Sequence, residues 1–314
     1  MKSLTNRLND RFFWGIVITA TLIFSSCTID SVDSTIDEAT EADIEAAVQI
    51  IGESLSGQSD GILASLNDAL AIPSQLGFES SVSSELATPP ASAVSGDDEE
   101  DKTGRGREQN FSYSFDPETG THSISFNRSV SITDFSKSLS ATLNYIFLDS
   151  SGDFIRFPRA QRNRIETIDF EGVRSGSVET PRKKSSFERE DIFLIDGLSG
   201  SSRTVSIDGI HKGSGNFEAL GAGDRMLQRT YSVQVEFLDV QINKEILRSD
   251  DNLQRGVTGT LTYEINITRT ASGDTETKEM RGTIELTGDG TALLRFADFS
   301  NIFRIKLDDG LVIR

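Results

Sequence analysis

"GTLTYEINITRT", Gly259 to Thr270, sets Leu261, Tyr263, Ile265 and Ile267 at alternate positions, with Thr262, Glu264 and Asn266 between them. An extended chain points successive side chains to opposite faces, so this period of two predicts a strand with one buried face and one wet face. "TYSVQVEF" does the same with Tyr231, Val233, Val235 and Phe237; "HSISF" offers Ile124 and Phe126, and "TALLRF" offers Ala292, Leu294 and Phe296. Turn chemistry separates these runs: "DPETG" at Asp116–Gly120, "DSSGD" at Asp149–Asp153, "ASGD" at Ala271–Asp274 and "TGDG" at Thr287–Gly290. Gly and Asp tolerate the left-handed backbone that hairpins need. Residues 111–314 therefore read as a mainly β body. Its large antiparallel sheet is either curled into a barrel or folded as a two-sheet sandwich.

Some fragments recur in order. "THSISF" from Thr121 resembles "TYSVQV" from Thr230, and "TLNY" at Thr142–Tyr145 resembles "TLTY" at Thr260–Tyr263. "TIDFEG" at Thr167–Gly172 resembles "TIELTG" at Thr283–Gly288, and "IFLI" at Ile192–Ile195 resembles "IFRI" at Ile302–Ile305. An internal duplication would give related halves at 111–200 and 229–314. Strands also reuse Thr, Ile, Tyr and Phe because β propensity favours them, which explains such matches by chance.

Upstream of the β body the pattern changes. Residues 73–110 hold a Pro-Pro pair and the acidic block Asp97–Asp101 with little periodicity, the signature of a disordered linker. In residues 40–72, Ile44, Val48, Ile51 and Leu55 recur at helical spacing, as do Ile62, Leu66 and Leu70. Two short amphipathic helices are expected, the first capped by Thr40 and stopped at Gly57, the second beginning near Ser59 and ended by Pro73. Their apolar stripes need a partner, either each other or the β body. Residues 27–39 are an acidic, Ser/Thr-rich tether.

The N-terminus is basic through Lys2, Arg7 and Arg11, and an apolar run from Phe12 to Phe24 follows. That run has the length of a secretory core and falls short of a comfortable bilayer span. Ser25, Ser26 and then Cys27, the single cysteine of the chain, come next. The order resembles a bacterial lipoprotein signal peptide with a lipobox, here Phe24-Ser25-Ser26-Cys27, with Phe in place of the usual Leu. The resemblance implies that residues 1–26 are removed and that Cys27 carries the lipid, palmitate included, that holds the chain on a membrane. Thr28 follows, and by resemblance to the enterobacterial sorting rule a residue other than Asp there implies the outer membrane. One cysteine forms no internal disulfide, and several acyl chains anchor stably where one is marginal.

The formal net charge of the 314 residues is −18. That acidic balance speaks against a general affinity for nucleic acid or anionic lipid and suits a body held away from a membrane. The catalytic inventory is thin. The two histidines, His122 in a strand pattern and His211 in the turn-like "DGIHKGSG", read as surface imidazoles. "GLSGS" at Gly197–Ser201 lacks the last glycine of a nucleophile elbow, and "GAGDRM" from Gly221 lacks the third glycine of a dinucleotide loop. No zinc, EF-hand or HExxH pattern occurs, so no cofactor or metal is expected.

Two basic islands stand out: Arg156, Arg159, Arg162 and Arg164 in "RFPRAQRNR", and Arg182, Lys183 and Lys184 in "PRKK". If they converge, they form an anion-binding surface for lipopolysaccharide phosphates, an acidic polysaccharide or the acidic linker. The 19 phenylalanines imply either a packed aromatic core or an apolar cavity able to hold a hydrophobic ligand. In style the chain resembles bacterial envelope lipoproteins that pair a helical N-terminus with a β-rich body, a resemblance that implies no activity. The expected function is non-catalytic binding or envelope structure, in the periplasm or at the cell surface. The alternatives are a carrier or chaperone for a hydrophobic ligand, resembling the half-barrel lipoprotein-localisation factors, and a hydrolase of envelope polymers.

Overall fold

The computed structural model describes residues 41–71, 108–181, 183–220, 226–248, 253–271 and 274–313. The signal segment with Cys27, the tether, Thr40, Pro73 and most of the expected linker lie outside them. Glu108, Gln109 and Asn110 already belong to the first strand, so the β body starts three residues before the expected boundary.

Among the described residues two helices, α1 (Glu41–Leu55) and α2 (Ile62–Leu70), precede thirteen strands. These are β1 (Glu108–Asp116), β2 (Thr121–Ile132), β3 (Phe135–Asp149), β4 (Ile165–Thr180), β5 (Lys183–Asp196), β6 (Thr204–Leu220) and β7 (Met226–Phe237). After them come β8 (Val240–Asn243), a short α3 (Lys244–Arg248), β9 (Val257–Ala271), β10 (Asp274–Thr287), β11 (Thr291–Phe296), β12 (Ile302–Lys306) and β13 (Val312–Ile313). The alternation read from the sequence is the alternation of burial: Ile124, Phe126, Leu261, Tyr263, Ile265, Ile267, Ala292, Leu294 and Phe296 all face inward. Gly120, at φ 72°, closes the β1–β2 hairpin in a conformation that a side chain would strain.

All thirteen strands form one antiparallel sheet in near-sequential order, with β8 carrying on between β6 and β9 where β7 ends. The two-sheet sandwich is therefore not what forms. The sheet is curled, as one residue demonstrates. Gln58, between the helices, accepts at its carbonyl from Lys137 Nζ on β3 (3.1 Å). Its own N–H donates to the carbonyl of Asp308, just past β12 (3.2 Å). Eight steps along the sheet separate β3 from β12, about 38 Å if the sheet were flat, at ~4.8 Å per strand. Among the described residues β1 pairs only with β2 and β13 only with β12, so the curl is an open trough.

The helices fill that trough. On α1, Ala46, Ala47, Val48, Ile50, Ile51 and Leu55 are all buried, a spread too wide for a helix lying on a surface. On α2, Ile62, Leu63, Leu66 and Ala69 are buried. Both apolar stripes therefore find their partner in the β body. The second helix starts at Ile62 rather than near Ser59, because Asp60 takes a left-handed conformation (φ 58°) that helix geometry excludes. Gly52 meets Gly310 backbone to backbone; a Cβ on Gly52 would sit 2.3 Å from the Gly310 carbonyl oxygen. Beneath the helices an aromatic row crosses the sheet from β3 to β7. Tyr145 meets Phe147 at 5.6 Å and Phe170 at 5.2 Å; Phe170 stacks on Phe193 at 5.7 Å, and Phe193 meets Phe237 at 5.2 Å.

The recurring fragments fall on β2, β3, β4 and β5 and on β7, β9, β10 and β12, but their registers differ. His122 pairs with Tyr145, whereas Tyr231, the equivalent of His122, pairs with Ile267, and Tyr263 pairs with Val235. β4 and β5 are neighbours, while β11 separates β10 from β12.

Candidate functional site

The helices and the trough meet in a polar seam. Inward-facing positions on the sheet are mostly apolar, yet Lys137, Arg174, Arg189, Asp191 and His211 occupy five of them and are buried. The cations among them meet acids and carbonyls of the helical hairpin. Lys137 pairs with Asp60 at 2.9 Å and Arg174 with Asp68 at 2.6 Å, while Lys183 pairs with Glu53. Arg189 donates to the carbonyls of Ser59 and Glu53. Tyr145 donates its hydroxyl to the Asp68 carbonyl at 2.9 Å. The trough is thus basic where the hairpin is acidic.

At the centre of the seam, Asp191 on β5 and His211 on β6 are direct cross-strand partners, with Oδ1 to Nδ1 at 2.7 Å. The other Asp191 oxygen accepts from Arg174 Nη1 (3.1 Å) and from the Ser65 hydroxyl. Gly172 makes room for this arrangement: a Cβ there would lie 2.8 Å from the Phe170 ring and 3.3 Å from Arg174 Nη1. One buried guanidinium therefore sits between two buried carboxylates, and the two respond in opposite directions. Burial pushes Asp68 above the ordinary carboxylate value, and Arg174 offsets this only in part. Burial also works to raise Asp191, but His211, Arg174 and Ser65 together hold it below that value. Arg174, penalised by burial, is held charged by Asp68 and Asp191.

A serine, a histidine and an aspartate are close here, but not in the order nucleophilic catalysis needs. Ser65 donates to Asp191, not to His211, and all three residues are buried. His211 Nε2 is buried with no hydrogen-bond partner among the described residues. The arrangement fastens a helix to a sheet.

Both histidine expectations are corrected. His122 is fully buried; its Nδ1 meets the Tyr113 hydroxyl at 2.8 Å and its Nε2 meets the Ile155 carbonyl at 3.1 Å. It stands two residues from Ile124, so strand parity puts both on the same inner face. Burial lowers its pKa, opposed by the Ile155 bond. His211 lies within β6, not in a turn, and is fully buried. Ser199 is exposed, bonds Glu166, and is followed by β6 rather than by the helix of a nucleophile elbow. Gly221 lies outside the described residues. Among the described residues no group of three or more His, Cys, Asp or Glu side chains could hold a metal ion.

The basic islands do not converge. Arg156, Arg159, Arg162 and Arg164 precede β4, whereas Lys183 and Lys184 follow its far end; Arg182 lies outside the described residues. The 16 residues of β4 separate the two islands by about 50 Å. Lys183 is spent on Glu53, and Lys184 stands opposite Glu179 and Glu218. The first island remains a cluster by itself. Outside the trough, a groove of about 760 Å³ crosses β2 to β7, with exposed Ser129, Ser138, Ser177 and Ser186 in register along it.

No protein-family model matches the chain, and neither a curated protein nor a solved structure matches it.

Proposed function

We propose that the chain is a lipid-anchored, non-catalytic protein of the bacterial cell envelope that serves in binding or envelope structure. One observation carries the non-catalytic part: the concave face of the sheet, where a substrate would lie, is filled by the protein's own helices 41–70. Both histidines support it: each is fully buried, His122 with both ring nitrogens engaged and His211 locked onto Asp191. The anchor rests on Phe24-Ser25-Ser26-Cys27 after an apolar run of signal-peptide length. Changing Cys27→Ala is expected to abolish acyl labelling and to release the chain from membranes. Unchanged membrane attachment would overturn the anchor.

A second reading, a carrier for a hydrophobic ligand, is favoured by the polar seam. The hairpin is fastened to the trough partly by ion pairs, and an apolar floor of Phe170, Phe193 and Ile195 lies in the core it packs on. Native mass spectrometry of the protein from its own envelope discriminates. A co-purifying lipid supports the carrier; its absence supports the simpler role.

A further inference from the structure

Residues 150–164 connect β3 to β4 with only an isolated bridge, Phe154 to Leu148, and one short 3-10 turn (Arg162–Arg164) as regular structure. Connections of that length usually do something. This one is firmly held. The Asp149 carboxylate accepts from the N–H groups of Ser151 (2.9 Å) and Asp153 (3.1 Å) and from Arg164 Nη2 (2.6 Å). Ile155 is buried; its N–H reaches the Phe147 carbonyl at 2.9 Å and its own carbonyl meets His122. Gln161 N–H closes a turn onto the Phe157 carbonyl at 3.0 Å.

On this fixed frame two large apolar side chains point outward. Phe154 is 46% exposed and Phe157 61%, on either side of buried Ile155 and exposed Arg156. The Arg156 guanidinium lies 5.4 Å from the Phe157 ring and 5.6 Å from the Phe115 ring. Arg159, Arg162 and Arg164 are exposed in the same loop, whose sole acid is Asp153. A chain of net charge −18 thus carries four exposed arginines in the same 150–164 loop as two exposed phenylalanines.

A soluble polyanion would satisfy the arginines and leave both rings in water. An apolar protein surface would cover the rings and strand the guanidiniums. A surface with anionic groups above hydrocarbon satisfies both, because arginine keeps its head among phosphates while aromatic rings enter the headgroup boundary. We propose that the 150–164 loop docks on an anionic lipid surface, with Phe154 and Phe157 entering the interface and Arg156, Arg159 and Arg162 meeting lipid phosphates. This deepens the envelope reading but is independent of lipid on Cys27.

The test uses the full chain with Trp14→Phe and Phe157→Trp, leaving one tryptophan, reconstituted in vesicles whose acyl chains carry bromine. Equal parts of phosphatidylcholine and phosphatidylglycerol should quench the loop tryptophan, and phosphatidylcholine alone should not. Adding Arg156→Gln, Arg159→Gln and Arg162→Gln should raise the ratio of undocked to docked loop by roughly 100-fold, at about five-fold per arginine. High salt should reproduce that loss in the chain with its arginines intact, which guards against a variant that fails to fold. No quenching in the anionic vesicles, or equal quenching in both kinds, would overturn the proposal. Failure of acylation at Cys27 would leave the charge-dependent quenching in place, and failure of docking would leave Cys27-dependent attachment in place.

Discussion

Asp191 and His211 face each other across β5 and β6 at 2.7 Å, both fully buried, and Asp191 is also held by Arg174 on β4 and Ser65 on α2. This contact belongs at once to the sheet and to the seam that seats the helices. It makes the ionic groups of the seam the natural place to test what keeps the hairpin in the trough.

Removing Arg174 leaves Asp68 and Asp191 buried without their shared cation. Arg174→Gln is expected to cost about 3–5 kcal/mol in urea-unfolding free energy. The paired change Asp68→Leu with Arg174→Met should recover part of that loss, because it removes the Asp68 charge together with its cation and leaves Asp191 to His211 and Ser65. A double variant as unstable as the single one would show that the pair does more than cancel its own burial cost.

Acid should weaken the fold through Asp191. Its pKa is lowered in the folded state, so its stabilisation is complete above the ordinary carboxylate value of 3.8 and is lost as the pH falls through the lower folded value. Asp68 acts in the opposite sense. Its folded pKa is raised, so its contribution is complete below 3.8 and fades as the pH rises through the raised value. Urea midpoints across the acid and neutral range should show both limbs. Asp191→Asn should flatten the acid limb and Asp68→Asn the other.

Gly52→Ala would drive a methyl group into the Gly310 carbonyl, which belongs to a turn at φ 75° and has little room to retreat. The expected cost is roughly 1–3 kcal/mol. Hydrogen exchange should quicken in α1 and the β12–β13 turn before it does in β3–β5. Uniform exchange would mean that hairpin and sheet unfold as one unit.

His122→Leu keeps the ring's volume but strands the Ile155 carbonyl and the Tyr113 hydroxyl. A loss of about 1–3 kcal/mol is expected, as for a buried polar group left unpaired. The amide of Ile155 should exchange faster in the variant, which would tie the rigidity of the 150–164 loop to this histidine.

Local rules served well where the decision was local. Val48, Ile51 and Leu55 sit at helical spacing and are buried; the alternate residues of Gly259–Thr270 point the way their parity says. His122 could have been placed by the same parity, being two residues from Ile124. His211 could not, because "DGIHKGSG" carries three glycines that mimic a turn. In the sheet, Gly209, Gly213 and Gly215 instead mark close approach to Phe193, His211 and Tyr231. The seam was hidden for another reason: Arg174 and Asp68 are 106 residues apart, and no local pattern links an arginine in one strand to an aspartate in a distant helix.

The sequence by itself determined a mainly β, antiparallel body with two short helices ahead of it, and left a curled sheet and a two-sheet sandwich both open, because periodicity and turn residues act between neighbours in the chain. Tertiary structure alone decided that the strands form one sheet curled into an open trough around those helices, that His211 is buried and that the two basic islands lie far apart. Those outcomes depend on which distant surfaces meet, and the free energy of burying a charge is set by a partner that the chain brings from elsewhere.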